Sequence, residues 1–222
     1  MAYDHRKIMC RYIILCEGID TEGFLISYLN SKALKYDERF SKIIQTFNFG
    51  GVSNLANYLQ TLKQMDGFDG IDHILVLRDA EKNVDQAISM VRKAFREANL
   101  PVPDSVNRWI HDQDKNISTA FTLMPTCDEK PTTGALEDLC WKILKHDKVT
   151  EIKNDVAGFV NDVKHKYESI SAHEHKSKLH TYLSVNERFI SLKVGEAAKA
   201  GAFDWESEVL DSLKNLISEG FE

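Results

Sequence analysis

The chain has 222 residues, of which 43% are hydrophobic and 28% charged, the balance of a globular protein able to bury its own core. Its net charge of −6 excludes a protein that coats nucleic acid by bulk electrostatics, although a local basic groove or charge-neutralising metal ions would still permit contact. The apolar run Tyr12-Ile13-Ile14-Leu15-Cys16 is strand length, far short of the roughly 20 residues of a membrane span, and no secretory leader is visible, so a cytoplasmic protein is expected.

In chain order, residues 11–16 predict a strand covered on both faces, ended sharply by Glu17-Gly18. A helix is expected from about Thr21, capped by Thr21 or Asp20, with Phe24, Leu25, Tyr28 and Leu29 on its inner face. Ile43 to Phe49 read as a second strand closed by Gly50-Gly51. Val52 to Met65 read as a helix capped by Ser53, with Leu55, Tyr58, Leu59 and Leu62 as its apolar stripe. Ile71 to Leu77 give a third strand, after which Arg78-Asp79-Ala80-Glu81 leaves the sheet. Asp85 to Asn99 is helical and stops before Pro101.

Two further strand-like stretches, Val106 to His111 and Ile117 to Leu123, are separated by a polar turn and suggest a hairpin at a sheet edge. From Gly134 the pattern is almost wholly helical: Ala135 to Leu144, Glu151 to Ile170, His175 to Leu183 and Glu206 to Ile217. Gly195 and Gly201 bracket a stretch of small residues suited to close packing or a turn. The expected fold is α/β: a mainly parallel central sheet flanked by helices in residues 1–145, with a helical extension over 146–222 packed on it.

In such sheets ligands bind beyond the carboxyl ends of the strands, which selects Glu17 and the Asp79 to Glu81 stretch. Three carboxylates converging on one crevice repel one another and lose hydration, so something must compensate. Hard divalent cations, Mg²⁺ or Mn²⁺, do so through carboxylate oxygens, whereas softer metals want His or Cys. The four cysteines, Cys10, Cys16, Cys127 and Cys140, show no CxxC spacing and read as reduced thiols, not zinc ligands or disulfides.

The segments Ile14-Leu15-Cys16-Glu17-Gly18 with Phe24-Leu25, and Ile74-Leu75-Val76-Leu77-Arg78-Asp79-Ala80-Glu81, resemble the Toprim superfamily. That superfamily includes topoisomerase domains, primases, ribosomal-RNA maturases and the overcoming-lysogenization-defect nucleases. Leu123-Met124-Pro125, Gly134 to Leu139, Lys176 to Leu179 and Gly195 to Asp204 resemble a group of small bacterial Toprim-like proteins, so the likeness runs nearly the whole length. This chain has Asp79-x-Glu81 where the superfamily usually has Asp-x-Asp. Thr21 stands where an acid often follows Glu-Gly, with Asp20 and Glu22 on either side.

The resemblance implies a divalent-metal-dependent phosphodiesterase acting on DNA or RNA. Glu17 would be general base or metal-orienting acid, Asp79 and Glu81 metal ligands, and Glu137 a further acid. Lys176 or Lys178 would supply positive charge to the scissile phosphate. The alternative is a non-catalytic metal- or nucleotide-binding module serving an ATPase. Since the chain has no G-x-x-x-x-G-K-[ST] loop, that ATPase would be a separate polypeptide.

Plain structural roles compete with each assignment. Glu17 can cap the following helix, Asp79 and Glu81 can form a solvated turn, and Glu137 can complement a helix dipole. Lys176 and Lys178 can belong to a charged face. His165, His173, His175 and His180 read as independent surface histidines.

Overall fold

A computed structural model describes residues 7–34, 43–146, 148–167 and 174–220. Five strands form one sheet in the order β2-β1-β3-β5-β4. At its centre β1 (Tyr12–Cys16) runs parallel to β2 (Ile44–Asn48) and to β3 (His73–Asp79), and β3 runs parallel to β5 (Ile117–Met124). The short β4 (Ile110–Asp112) closes the edge antiparallel to β5.

The predicted hairpin therefore forms, with only β4 at the edge. β5 is buried along its whole length because it lies between β3 and β4 and is covered on both faces. The first hairpin strand starts later than the sequence suggests. Asn107 adopts a left-handed φ of 61° while its N–H donates to Phe121 O at 2.8 Å, so the chain is tied down before it extends.

Strand parity divides the core into two layers. Ile13, Leu15, Ile74 and Val76 face a cluster containing Leu55, Leu59 and Leu62 of α2 (Leu55–Leu62) and Ala87, Val91 and Phe95 of α3 (Val84–Glu97). Tyr12, Ile14, Cys16, Leu75 and Leu77 face the opposite way, toward Phe24, Leu25 and Tyr28 of α1 (Ile19–Leu29). The same cluster takes in residues of α4 (Leu136–Lys142), α6 (Glu174–Ser184), α7 (Val194–Lys199) and α8 (Asp211–Glu219). The C-terminal helices thus share a continuous core with β1. The long α5 (Val149–Lys166) packs more lightly, through Val156 and Val160.

Several local expectations shift. Helix α1 begins at Ile19, not Thr21. The extended residue Gly18 stands at its N-cap without a side-chain hydrogen bond, Thr21 is buried inside the helix, and the Asp20 carboxylate accepts from Gly195 N at 3.0 Å. Ser53 lies in a 3₁₀ turn, Val52–Asn54, and caps nothing in α2. The side chain of Asn83 caps α3 by accepting from Gln86 N.

Glu206 to Ile217 resolves into a 3₁₀ turn, Glu208–Leu210, and α8; the end of the expected Glu151–Ile170 helix lies outside the described residues. The small-residue stretch is helix α7, and a Cβ placed on Gly23 would sit 2.9 Å from Gly195 Cα, so α1 and α7 meet backbone to backbone.

Candidate metal centre

β1 and β3 are adjacent and parallel, with Cys16 opposite Leu77, so their carboxyl ends deliver Glu17 and Asp79 to the same rim of the sheet. The Glu17 backbone is held from both sides, its N–H donating to Leu77 O at 3.1 Å and its carbonyl accepting from Gly51 N at 2.8 Å. Gly50 (φ 73°) and Gly51 (φ 107°) make that second contact possible, because they hold conformations that side chains disfavour.

Glu81 sits two residues past Asp79 in the left-handed region, φ 56°, an unusual position for a non-glycine residue. It is fixed there by a two-way backbone bridge with Gly134, each N–H donating to the other's carbonyl at 2.8 Å. Gly134 has φ 135°, and a Cβ on it would lie 2.6 Å from Asp138 Oδ2 and 3.1 Å from the Pro125 ring, so only glycine fits.

Glu17, Asp79 and Glu81 consequently offer carboxylate oxygens that all lie within 4.8 Å of one another. Glu17 Oε2 accepts from Asp79 N at 3.1 Å and lies 3.8 Å from Arg78 Nε. Asp79 Oδ1 accepts from Leu136 N at 2.9 Å, at the start of α4. That bond brings the first turn of α4, with Glu137, beside the two strand ends. Glu137 is outside the close group but near enough to raise Asp79, and its Oε1 stands 3.6 Å from Lys176 Nζ.

Burial, followed by Glu17 and Glu137, pushes the Asp79 carboxyl up to about 8, against the downward pull of the Leu136 N–H. Burial likewise raises Glu17, opposed first by the Asp79 N–H and then by Arg78. Among the described residues the four carboxylates are met by two cations, Arg78 and Lys176, leaving two formal negative charges if all ionise. Such a donor set fits a hard divalent cation: oxygen ligands only, close together, partly desolvated and short of positive charge. Glu17, Asp79 and Glu81 could hold the ion directly, with Glu137 alongside.

The remaining assignments separate cleanly. Of the two lysines, Lys176 faces the acids. Lys178 pairs instead with Glu174, which it holds down at about 2 together with Lys164. Neither Asp20 nor Glu22 belongs to the close group, and each is engaged elsewhere: Asp20 accepts from Gly195 N, and the Glu22 carboxylate accepts from Thr46 Oγ1 at 3.1 Å and Asn48 Nδ2 at 2.7 Å.

Among the described residues no histidine joins a metal-sized group, His175 Nδ1 lies 3.8 Å from Asp138 Oδ2, and His173 falls outside those residues. Cys16, Cys127 and Cys140 are buried free thiols whose pKa values burial raises, the state of structural and not reactive cysteines.

One participant has no counterpart among the residues that the sequence pattern selects for the site: Arg78, whose side chain is only 3% exposed and lies against Glu17. Its only signal in the sequence is a single cation closing the apolar run Ile74 to Leu77. A buried guanidinium stays charged even where burial lowers its pKa, so it acts as a fixed counter-charge.

The model of a family described as "Protein of unknown function (DUF3226)" matches residues 11–222. The chain belongs to that family. No curated protein and no solved structure matches it. The DUF3226 match runs from the residue before β1 through α8, so the acidic centre, Arg78 and Lys176 all lie inside it.

Proposed function

We propose that the chain is an Mg²⁺- or Mn²⁺-dependent phosphodiesterase of the Toprim type, acting on nucleic acid. The observation that carries the reading is the convergence of Glu17, Asp79 and Glu81 within 4.8 Å at the ends of parallel strands, with too few cations among the described residues to balance them. When bound, a divalent ion in such a cluster supplies charge stabilisation and an activated water.

The side chains divide the remaining tasks by which oxygens are already engaged. Glu17 Oε2 is taken by the Asp79 N–H and Arg78, leaving Oε1 to orient or deprotonate an attacking water. Asp79 Oδ1 is taken by the Leu136 N–H, leaving Oδ2 for the ion. Arg78, buried against Glu17, favours the ionised form of that carboxylate against the opposing effect of burial. Lys176 is half exposed and flexible enough to meet a phosphate oxygen, with Glu137 holding it at the rim.

The test is cleavage of single- and double-stranded DNA and RNA by the purified protein with Mg²⁺, with Mn²⁺ and with EDTA. Metal-dependent cleavage of at least one polymer is expected. Inactivity on all of them, with Mn²⁺ bound and with any separate ATPase encoded beside the gene supplied, would defeat the reading.

A further inference from the structure

The C-terminal part of the chain also lines a hollow of the opposite chemistry. α4 carries the chain about 10 Å from the residue bonded to Asp79. Shortly beyond its end, Lys145 and His146 face Asn186 and Arg188 across a space of about 550 Å³ with Phe203 and Trp205 in its lining. Its volume lies in the range of small-ligand sites.

Every polar side chain here presents a donor. His146 Nδ1 accepts the Lys148 N–H at 3.0 Å, which leaves Nε2 as the ring's donor. Asn186 Oδ1 accepts the Arg188 N–H at 3.0 Å, which leaves the amide NH₂. Among the described residues no carboxylate lines the hollow, and neither Lys145 nor Arg188 has a carboxylate partner. Among the described residues the lining carries two cations, two neutral donors and no carboxylate, a chemistry that favours an anion in a chain of net charge −6.

The aromatic part is rigid. Trp205 is clasped by Phe24, Tyr28 and Phe203, with ring centroids 5.2, 5.7 and 5.8 Å away. The Arg188 guanidinium lies 5.6 Å from the Phe189 ring centre, and a Cβ on Gly201 (φ 86°) would come 3.4 Å from its Nη2. A cationic rim beside fixed rings is the arrangement that takes a phosphate next to a flat base.

We propose that this hollow is a nucleotide-binding subsite, with Lys145 and Arg188 on the phosphate and Trp205 beside the base. The nucleotide could be one unit of a single strand or a free nucleoside monophosphate; both share that chemistry. The site stands without the cleavage reading, because binding can be measured with the acidic centre stripped of metal.

The experiment uses the full chain in EDTA, with two probes: a fluorescein-labelled oligothymidylate followed by anisotropy, and AMP followed by calorimetry. Lys145→Ala and Arg188→Ala should each weaken binding about tenfold, with Arg188→Lys recovering part of the loss. For the oligonucleotide, the slope of log affinity against log salt should fall by about 0.7 for each phosphate that is no longer neutralised. Both positions are exposed, and unchanged melting temperatures would show the variants folded. Variant-sensitive binding of the oligonucleotide alone assigns the subsite to a strand, and of AMP to a free nucleotide. Binding of neither probe, or binding that ignores the substitutions, overturns the proposal.

Discussion

The Glu22 carboxylate, one turn into α1, accepts two hydrogen bonds from neutral side chains, Thr46 and Asn48, while Asp20 beside it accepts a backbone N–H from Gly195. Glu17 and Asp79, a few residues away at the strand ends, each accept a single backbone N–H and face other acids, with Arg78 beside Glu17. Acids in both groups are partly buried and follow the same strand or its neighbour, so position and burial do not distinguish them. What does is the identity of the nearest groups. An acid matched to donors is finished as a structural element, whereas acids gathered on one another repel and are relieved only by a proton or a cation.

The two groups of acids should part most widely in activity. Glu17→Gln should lower cleavage by about 10² to 10⁴-fold with the fold intact. Glu22→Ala should keep its rate within a few-fold while losing about 1–2 kcal/mol of stability from two charge-assisted hydrogen bonds. Rates and urea unfolding of both variants measure this. Equal loss of activity in the two, with no stability cost at Glu22, would erase the distinction.

The next largest difference lies in stability against pH in EDTA. Asp79 titrates at about 8 in the folded protein and near 3.8 when exposed, so between those values the folded state holds the extra proton. Stability from this group is therefore greatest at low pH, and falls as pH rises from about 4 toward 8, by on the order of a few kcal/mol. Asp79→Asn should flatten that slope; an unchanged slope would mean that Asp79 is hydrated and unstrained. With Mn²⁺ at about 100 times its dissociation constant, the wild type should gain about 2.7 kcal/mol and Asp79→Asn little. Thermal melts at pH 7.5 with and without Mn²⁺ give both differences, and equal gains would remove Asp79 from the ligand set.

The parts of this architecture visible in the sequence are those set by local pattern. β1 and β3 read as strands because a parallel strand covered on both faces needs an unbroken apolar run, and Glu17 and Asp79 stand out as acids at the ends of such runs. What cannot be read there depends on contacts between distant segments. α1 begins at Ile19 behind an N-cap, Gly18, that has no side chain to bond, so the residue types that usually mark a cap, Asp20 and Thr21, point two or three residues too late. Glu81 owes its left-handed turn to Gly134, more than 50 residues on. The choice between Asp20 and Glu22 is undecidable from local pattern because their partners, Gly195 and Thr46 with Asn48, lie on other elements. The hollow at Lys145 draws on Arg188 and Trp205, brought together only when the C-terminal helices pack.

The smallest expected effect concerns the two lysines of α6, which composition treats as equivalent. Lys176 Nζ stands 3.6 Å from Glu137 Oε1 at the edge of the acidic centre, with about half of its side chain exposed. Lys178 is held by Glu174 four residues earlier, a pair of the kind worth about 0.3–0.5 kcal/mol on a helix surface. If Lys176 meets a substrate phosphate, Lys176→Ala should raise KM several-fold and reduce the salt slope of double-stranded substrate binding by about 0.9, the share of one neutralised phosphate. Lys178→Ala should leave both unchanged and cost only the few tenths of a kcal/mol of its pair. A smaller change in KM than in kcat for Lys176→Ala would place its charge at the reacting phosphate, not at initial binding. Identical kinetics and salt slopes for wild type and both variants would return Lys176 to the solvated face of α6, leaving Glu137 paired for structural reasons alone.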